Sequence, residues 1–432
     1  GARTYGARAA RREAPGPVTR EAPGRGPRGV TSAGTRRAHE GDGGLPCRHD
    51  RLSLLSTVFT RAGRAAHRLQ LPVLGRLPLV VTMSAFKSPL FSDVTAAAAR
   101  LAANGAIHRT PLLESVALNL LTGGRILVKA EALQIAGSFK IRGAMNRVLC
   151  LSPEERAKGV VAFSSGNFGQ GLAAACMFEK VKCTIVMPGD APVSKEQRAT
   201  SYGAKVVRSE IIEGVNREVT ASALARSIST NEGATLLHPF EDFHVMAGQG
   251  TCALEILEQC EERRAGTIDA LLIPTGGGGL SAGCCLAMAE RSPGTQLYAV
   301  EPQGYDDHSQ SLAAGAITPL KASPSSLCDS LQAVAPGEHT FPTNKALLTG
   351  ALVVSDAEVA HAMVVAFEML QLVLEPGGAA GLAAVLAGKV DVKGKTIAVI
   401  GSGGNIDLEK FGKIYHSHTA AGQAALEHSP KL

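Results

Sequence analysis

The chain has 432 residues, 45% of them apolar and 19% charged, with a formal net charge of +6. That length suggests two or more domains, while no stretch approaches the ~18 consecutive apolar residues that cross a bilayer. Nine cysteines occur without zinc-type pair spacing or a secreted-module framework, so they read as small apolar core residues of a reducing compartment. The basic balance does not indicate a nucleic-acid partner. Residues 1–82 hold 15 Arg, no Lys and five acids, a net of +10, so residues 83–432 carry −4.

The first 82 residues are rich in Arg, Gly, Ala and Pro and lack the apolar periodicity of a core. They are expected to be a disordered leader. Two readings stand side by side. An Arg-rich transit peptide would direct the protein to a mitochondrion or plastid. Alternatively the stretch is a gene-model extension ahead of a start at Met83, in which case the protein is cytoplasmic.

In chain order, an Ala-rich amphipathic helix is expected over Asp93–Asn104, a strand over Arg125–Ala130 and a helix over Ile141–Leu149. Then come strand Val160–Phe163, helix Gly169–Phe178, strand Cys183–Met187, helix Ser194–Tyr202 and strand Lys205–Val207. The apolar run Ala270–Pro274 reads as a buried strand, followed by helix Ser281–Arg291 and strands Gln296–Glu301 and Thr396–Ile400. Continuous apolar strands alternating with helices argue for an α/β fold with mostly parallel sheet. The glycine-rich segments follow strand C-termini, where open α/β sheets bind ligands.

Four segments carry chemistry. Gly137-Ser138-Phe139-Lys140 puts one lysine at a helix start, where the positive end of the dipole favours the neutral amine. A neutral amine is what Schiff-base chemistry needs. Ser164-Ser165-Gly166-Asn167-Phe168 opens a helix after a strand, so its amides and the Asn167 side chain face a ligand site. Gly276-Gly277-Gly278-Gly279 lies between strand and helix and can present backbone N–H groups to an anion, which suits a phosphate monoester. It is not a Walker A loop, because no Gly-Lys-Ser/Thr follows. Gly401-Ser402-Gly403-Gly404 follows the last strand, and Ile406 stands where a dinucleotide fingerprint needs its third glycine.

In this order the four segments resemble the fold-type II pyridoxal phosphate enzymes, and most closely the serine/threonine dehydratase and serine racemase family. The likeness runs from about Met83 to about Lys413. It implies two open, twisted, mostly parallel-sheet domains of the tryptophan-synthase-β kind. The large one would comprise 86–157 and 239–420, the small one 158–238, and the site would lie in the cleft between them. The resemblance makes Lys140 the Schiff-base lysine and α-proton base, with Phe139 beside the cofactor ring. It gives the phosphate to Gly276, Gly277, Gly278 and Gly279, the ring hydroxyl to Asn167, the pyridine nitrogen to Ser402, and a place near the cofactor to Glu375. Ser164, Ser165, Gly166 and Asn167 would hold the substrate carboxylate, and Ser165 would face the opposite side of the α-carbon. Phe168 departs from the family, which commonly has His there, and this bears on substrate-pocket polarity. Glu301, Asp307 and the carbonyl of Tyr305 align with a divalent cation site for Mg²⁺, Ca²⁺ or Mn²⁺.

A serine at the ring nitrogen cannot protonate it strongly, so the electron sink is weak. Such a sink favours prompt loss of a β-leaving group over transamination. The expected activity is dehydration and deamination of L-threonine and L-serine. Serine racemase and hydroxyaspartate ammonia-lyase are the alternatives. Leu327-Cys328-Asp329-Ser330 looks more like bacterial dehydratases than like racemases. The short stretch after Ser402 leaves no place for an amino-acid-sensing domain, so no isoleucine feedback and a catabolic role are expected. A homodimer acting on small amino acids is expected, without nucleic-acid or membrane partners.

Overall fold

The computed structural model describes residues 88–427 apart from Pro192, 214–216 and Ser323, with side chains described as far as His418. The 1–82 leader therefore lies outside the described residues. Among the described residues ten strands form two sheets. They are β1 (Leu112–Glu114), β2 (Arg125–Ala130), β3 (Val160–Phe163), β4 (Cys183–Met187), β5 (Lys205–Arg208), β6 (Thr235–Leu236), β7 (Ala270–Pro274), β8 (Gln296–Pro302), β9 (Gly350–Val354) and β10 (Thr396–Gly401).

The larger sheet has the order β1-β2-β10-β7-β8-β9, and the smaller has β5-β4-β3-β6. Every pairing is parallel except β1 with β2. Strands β4 and β7 are buried at every residue, and β2 and β10 at every residue after the first. This is the burial that helices on both faces of a parallel sheet impose. The antiparallel edge strand β1 was not expected. It is three residues long, and Glu114 at its end takes a fork of two 2.9 Å bonds from Arg125 at the start of β2.

The expected helices and strands are present, with ends displaced by no more than two residues. Among the helices missing from the sequence reading, two are buried on most of their surface. Phe243–Glu262 buries fourteen of its twenty residues, and Pro376–Leu386 buries all but its last. Both pack on several sides, so no polar face marks them. Asp242 caps the first of these by accepting the N–H groups of His244 and Val245 at 2.8 and 3.0 Å.

One buried ionic network fixes the helix Lys140–Leu149. Arg142, 1% exposed, gives bonds of 2.7 and 2.8 Å to Glu131 and of 2.7 and 2.8 Å to Glu255. Lys129 adds a 2.6 Å bond to Glu255, and Thr110 donates to Glu131. Without the Glu131 charge, Arg142 and Lys129 are left buried with the single carboxylate of Glu255. Glu131→Gln is therefore expected to cost about 3 kcal/mol of stability, read as a lower urea midpoint with unchanged slope.

Candidate active site

The parallel strands end along one edge of each sheet. There a cavity of about 960 Å³ opens, lined by residues at the ends of β3, β7 and β10. Its wall gathers Phe139, Lys140, Ser164 to Phe168, Gly276 to Gly279, Tyr305, Glu375 and Ser402. The four sequence segments thus meet in one place.

Lys140 is the first residue of its helix, and a left-handed turn delivers it. Ala136 and Gly137 have φ of 59° and 69°, and a Cβ on Gly137 would collide with Asn405 Oδ1. Asn405 Nδ2 donates to the Ala136 carbonyl at 2.7 Å, and the Phe139 N–H donates to the Ser402 carbonyl at 3.1 Å. Both bonds tie the lysine loop to the segment after β10.

The Lys140 amine donates to the Pro239 carbonyl at 3.1 Å and lies 5.2 Å and 5.9 Å from the centres of the Phe139 and Phe168 rings. Burial lowers its pKa to about 8, against the pull of Glu375, which favours the charged form. Desolvation, not the helix dipole expected from the sequence, is the main cause. Phe168 is 2% exposed and helps make that wall apolar.

The glycine loop turns its carbonyls away from the cavity. That of Gly277 accepts from Thr340 at 2.6 Å, and that of Gly278 accepts from Asn344 at 3.2 Å and from Ala282 at 2.9 Å. Each peptide N–H points opposite to its carbonyl, so the N–H groups of Gly278 and Gly279 face the other way. Among the described residues none accepts a hydrogen bond from them. Gly278 has φ 92°, and a Cβ there would lie 2.6 Å from Asn344 Nδ2. The loop opens the thirteen-residue helix Gly279–Arg291 and so forms an anion cradle.

Asn167 Nδ2 donates to Glu375 at 2.5 Å, and Asn167 Oδ1 accepts from Asn405 at 2.8 Å. Burial, helped by Asp329, pushes the Glu375 carboxyl up to about 7, while the Asn167 bond opposes the rise. Ser402 is 4% exposed at the end of β10.

Two residues escaped the sequence reading. His238 lines the cavity, and its Nδ1 accepts the Glu241 N–H at 3.0 Å. Burial and then Lys140 lower its pKa to about 4, so it is neutral beside the lysine. A His-Pro-Phe run at the end of β6 was the available signal. The second is His308. The acidic pair Glu301 and Asp307 comes together as expected, but His308 stands between them, and all three are fully buried. Burial raises both carboxyls. It would lower His308, yet Asp307 and Glu301 outweigh it and hold the imidazole at about 9. Tyr305 is buried nearby, its phenol donating to the Pro324 carbonyl at 2.8 Å.

Residues 103–403 match the family model described as pyridoxal-phosphate dependent enzyme. The chain belongs to this family. It is 38% identical over 324 residues to L-threo-3-hydroxyaspartate ammonia-lyase of Saccharomyces cerevisiae, covering 75% of this chain and 95% of that protein. It is 39% identical over 307 residues to serine racemase of Arabidopsis thaliana, covering 70% and 89%. The solved T.th. threonine deaminase superimposes with a TM-score of 0.69 at 42% identity, covering 74% of this chain and 99% of that one. The cavity fits the cofactor named in the family description. It offers a near-neutral amine, an anion cradle at a helix start and an apolar wall between them.

In cofactor-free protein the Lys140 amine must lose its proton before it can bond an aldehyde. The rate of loading with pyridoxal phosphate is expected to rise with pH and level off above a midpoint near 8. A midpoint near the ordinary lysine value of 10.5 would show that burial does not act on this amine.

Proposed function

We propose that the chain is an ammonia-lyase for L-threonine and L-serine, yielding 2-oxobutanoate or pyruvate and ammonia. The observation that supports it best is the pairing of Lys140 with Ser402 in one wall. The lysine offers a base, and the residue at the end of β10 is a hydroxyl rather than a carboxylate. Pyridoxal phosphate, when bound, supplies the electron sink at the α-carbon.

The protein's own groups do the rest. Gly276 to Gly279 would hold the phosphate, and Phe139 would border the ring. Asn167, oriented by Glu375 and Asn405, would hold the ring hydroxyl, and Ser402 would hold the ring nitrogen. The N–H groups and side chains of Ser164, Ser165, Gly166 and Asn167 grip the substrate carboxylate at the start of helix Asn167–Glu179. Lys140 Nζ takes the α-proton as its burial-lowered pKa allows. The Phe139 and Phe168 rings keep water from that nitrogen. We assign residues 158–238 to a small domain and 86–157 with 239–420 to a large one. We also assign Glu301, Asp307 and the Tyr305 carbonyl to a divalent cation.

Serine racemase remains the second reading, because Ser165 shares the cavity with Lys140 and could serve the opposite face of the α-carbon. Names of both kinds occur among the relatives.

The deciding assay gives L-threonine and L-serine to the loaded protein and follows both 2-oxo acid and D-amino acid. 2-Oxobutanoate is expected to dominate. D-serine without oxo acid would move the assignment to racemase. Lys140→Ala is expected to lower turnover by at least about 10³-fold, since one group supplies both the covalent anchor and the base.

A further inference from the structure

His238 lines the cavity but has no part in the mechanism above. Its neighbours give it one. The Lys140 amine donates to the Pro239 carbonyl at 3.1 Å. That oxygen belongs to the backbone, so its position depends on what holds the turn after β6. His238 Nδ1 accepts the N–H of Glu241 at 3.0 Å and, more loosely, that of Phe240 at 3.5 Å. One side-chain nitrogen thus closes residues 238–241 from within. The oxygen of an Asn or Asp closes a turn in the same way. Pro239, whose ring fixes φ and which has no N–H of its own, stiffens the same turn.

The imidazole is itself fixed. Phe163 and Phe240 meet it edge-on, with ring centres 5.3 and 4.6 Å away. Phe240 in turn lies against the glycine loop, where a Cβ on Gly277 would collide with its ring. The Glu241 carboxylate accepts the His339 N–H at 3.1 Å. The turn is therefore pinned on both flanks, with the Pro239 carbonyl between them. Because Nδ1 accepts, the ring proton sits on Nε2 and the ring is neutral. Burial first, then Lys140 and Arg226, keep it so by lowering its pKa to about 4.

We propose that His238 is a positioning residue for Lys140: through Nδ1 it sets the Pro239 carbonyl, and that carbonyl seats the lysine amine whenever the amine is free. This deepens the reading above and rests on its assignment of Lys140 as anchor and base. The amine is free before the cofactor is loaded and again when the substrate has taken its place. A lysine ends a flexible four-carbon stem, so an unseated amine spreads over many rotamers. One N–H committed to Pro239 restricts where the nitrogen lies and where its lone pair points. Both the loading of the cofactor and the removal of the α-proton depend on that direction.

The test compares the full chain as wild type, His238→Phe and His238→Asn. Phe keeps a ring between Phe163 and Phe240 but has no acceptor. Asn gives up the ring but puts Oδ1 where Nδ1 stands. The first readout is the rate constant for uptake of pyridoxal phosphate by cofactor-free protein, followed by absorbance above the Lys140 midpoint near 8. The second is kcat and KM for whichever turnover of L-threonine or L-serine the loaded protein shows. His238→Phe is expected to load at least about tenfold more slowly and to lose at least about 30-fold in kcat, with KM within about threefold, because a displacement on the order of 1 Å costs up to about 100-fold. His238→Asn is expected to restore both rates to within about threefold of wild type, because its oxygen closes the same turn. The proposal is overturned if His238→Phe matches wild type in either rate. It is equally overturned if His238→Asn falls as far as His238→Phe, which would leave the imidazole a packing role alone. A smaller folded fraction would cut the amplitude of loading and not its rate constant. Should His238→Phe fail to fold, His238→Asn decides by the same thresholds. Loading precedes any reaction, so that arm stands whether the loaded protein proves to be an ammonia-lyase or a racemase.

Discussion

A lysine that must give up its proton more readily than in water has to be shielded from solvent while staying open to a ligand. The structure meets both demands at Lys140. Its amine is enclosed by Phe139, Phe168 and the Pro239 carbonyl, and its one open side is the cavity. Glu375 pulls the other way, since a nearby carboxylate favours the ammonium form, but it is itself pushed up to about 7 by burial. The two groups share a low-dielectric site in which neither charge is well solvated. That tension is the usual mark of a functional centre.

Holding the amine there requires a rigid mount. The helix that begins at Lys140 carries Arg142 two residues on, and Arg142 is locked by Glu131 and Glu255. Ahead of Lys140 the turn at Ala136 and Gly137 is tied by Asn405. Asn405 also reaches Asn167 and Arg198. One amide side chain thus links the lysine loop, the Ser164–Asn167 loop and the helix Val193–Ser201. The buried charges around Arg142 need not add net stability. Their effect is positional, because a fully hydrogen-bonded guanidinium tolerates little displacement.

The glycine loop shows the same logic in backbone form. Its carbonyls are occupied by Thr340, Asn344 and the following helix, and this occupation turns the N–H groups toward the cavity. Through Asn344 the loop is joined to His308, and through His308 to Glu301 and Asp307. The acidic cluster is therefore not an independent surface feature. It lies behind the glycine loop, joined to the Gly278 carbonyl through Asn344.

Local patterning in the sequence determined much of this. The cores of β2, β3, β7, β8 and β10 are short apolar runs of the kind a parallel sheet covered on both faces buries. The lysine, serine-asparagine and glycine segments were legible as ligand loops because each follows such a strand. Helices Phe243–Glu262 and Pro376–Leu386 were not legible, since burial on several sides erases the polar face that periodicity depends on. The sequence could not reveal His238 or His308 as members of the site. A single histidine carries no spacing signal, and its role is set by neighbours distant in the chain, such as Lys140 for His238 and Asn344 for His308. The cause of the Lys140 shift was likewise decided only in three dimensions. A helix dipole can be read from local sequence, but desolvation depends on which side chains from other segments close around the amine.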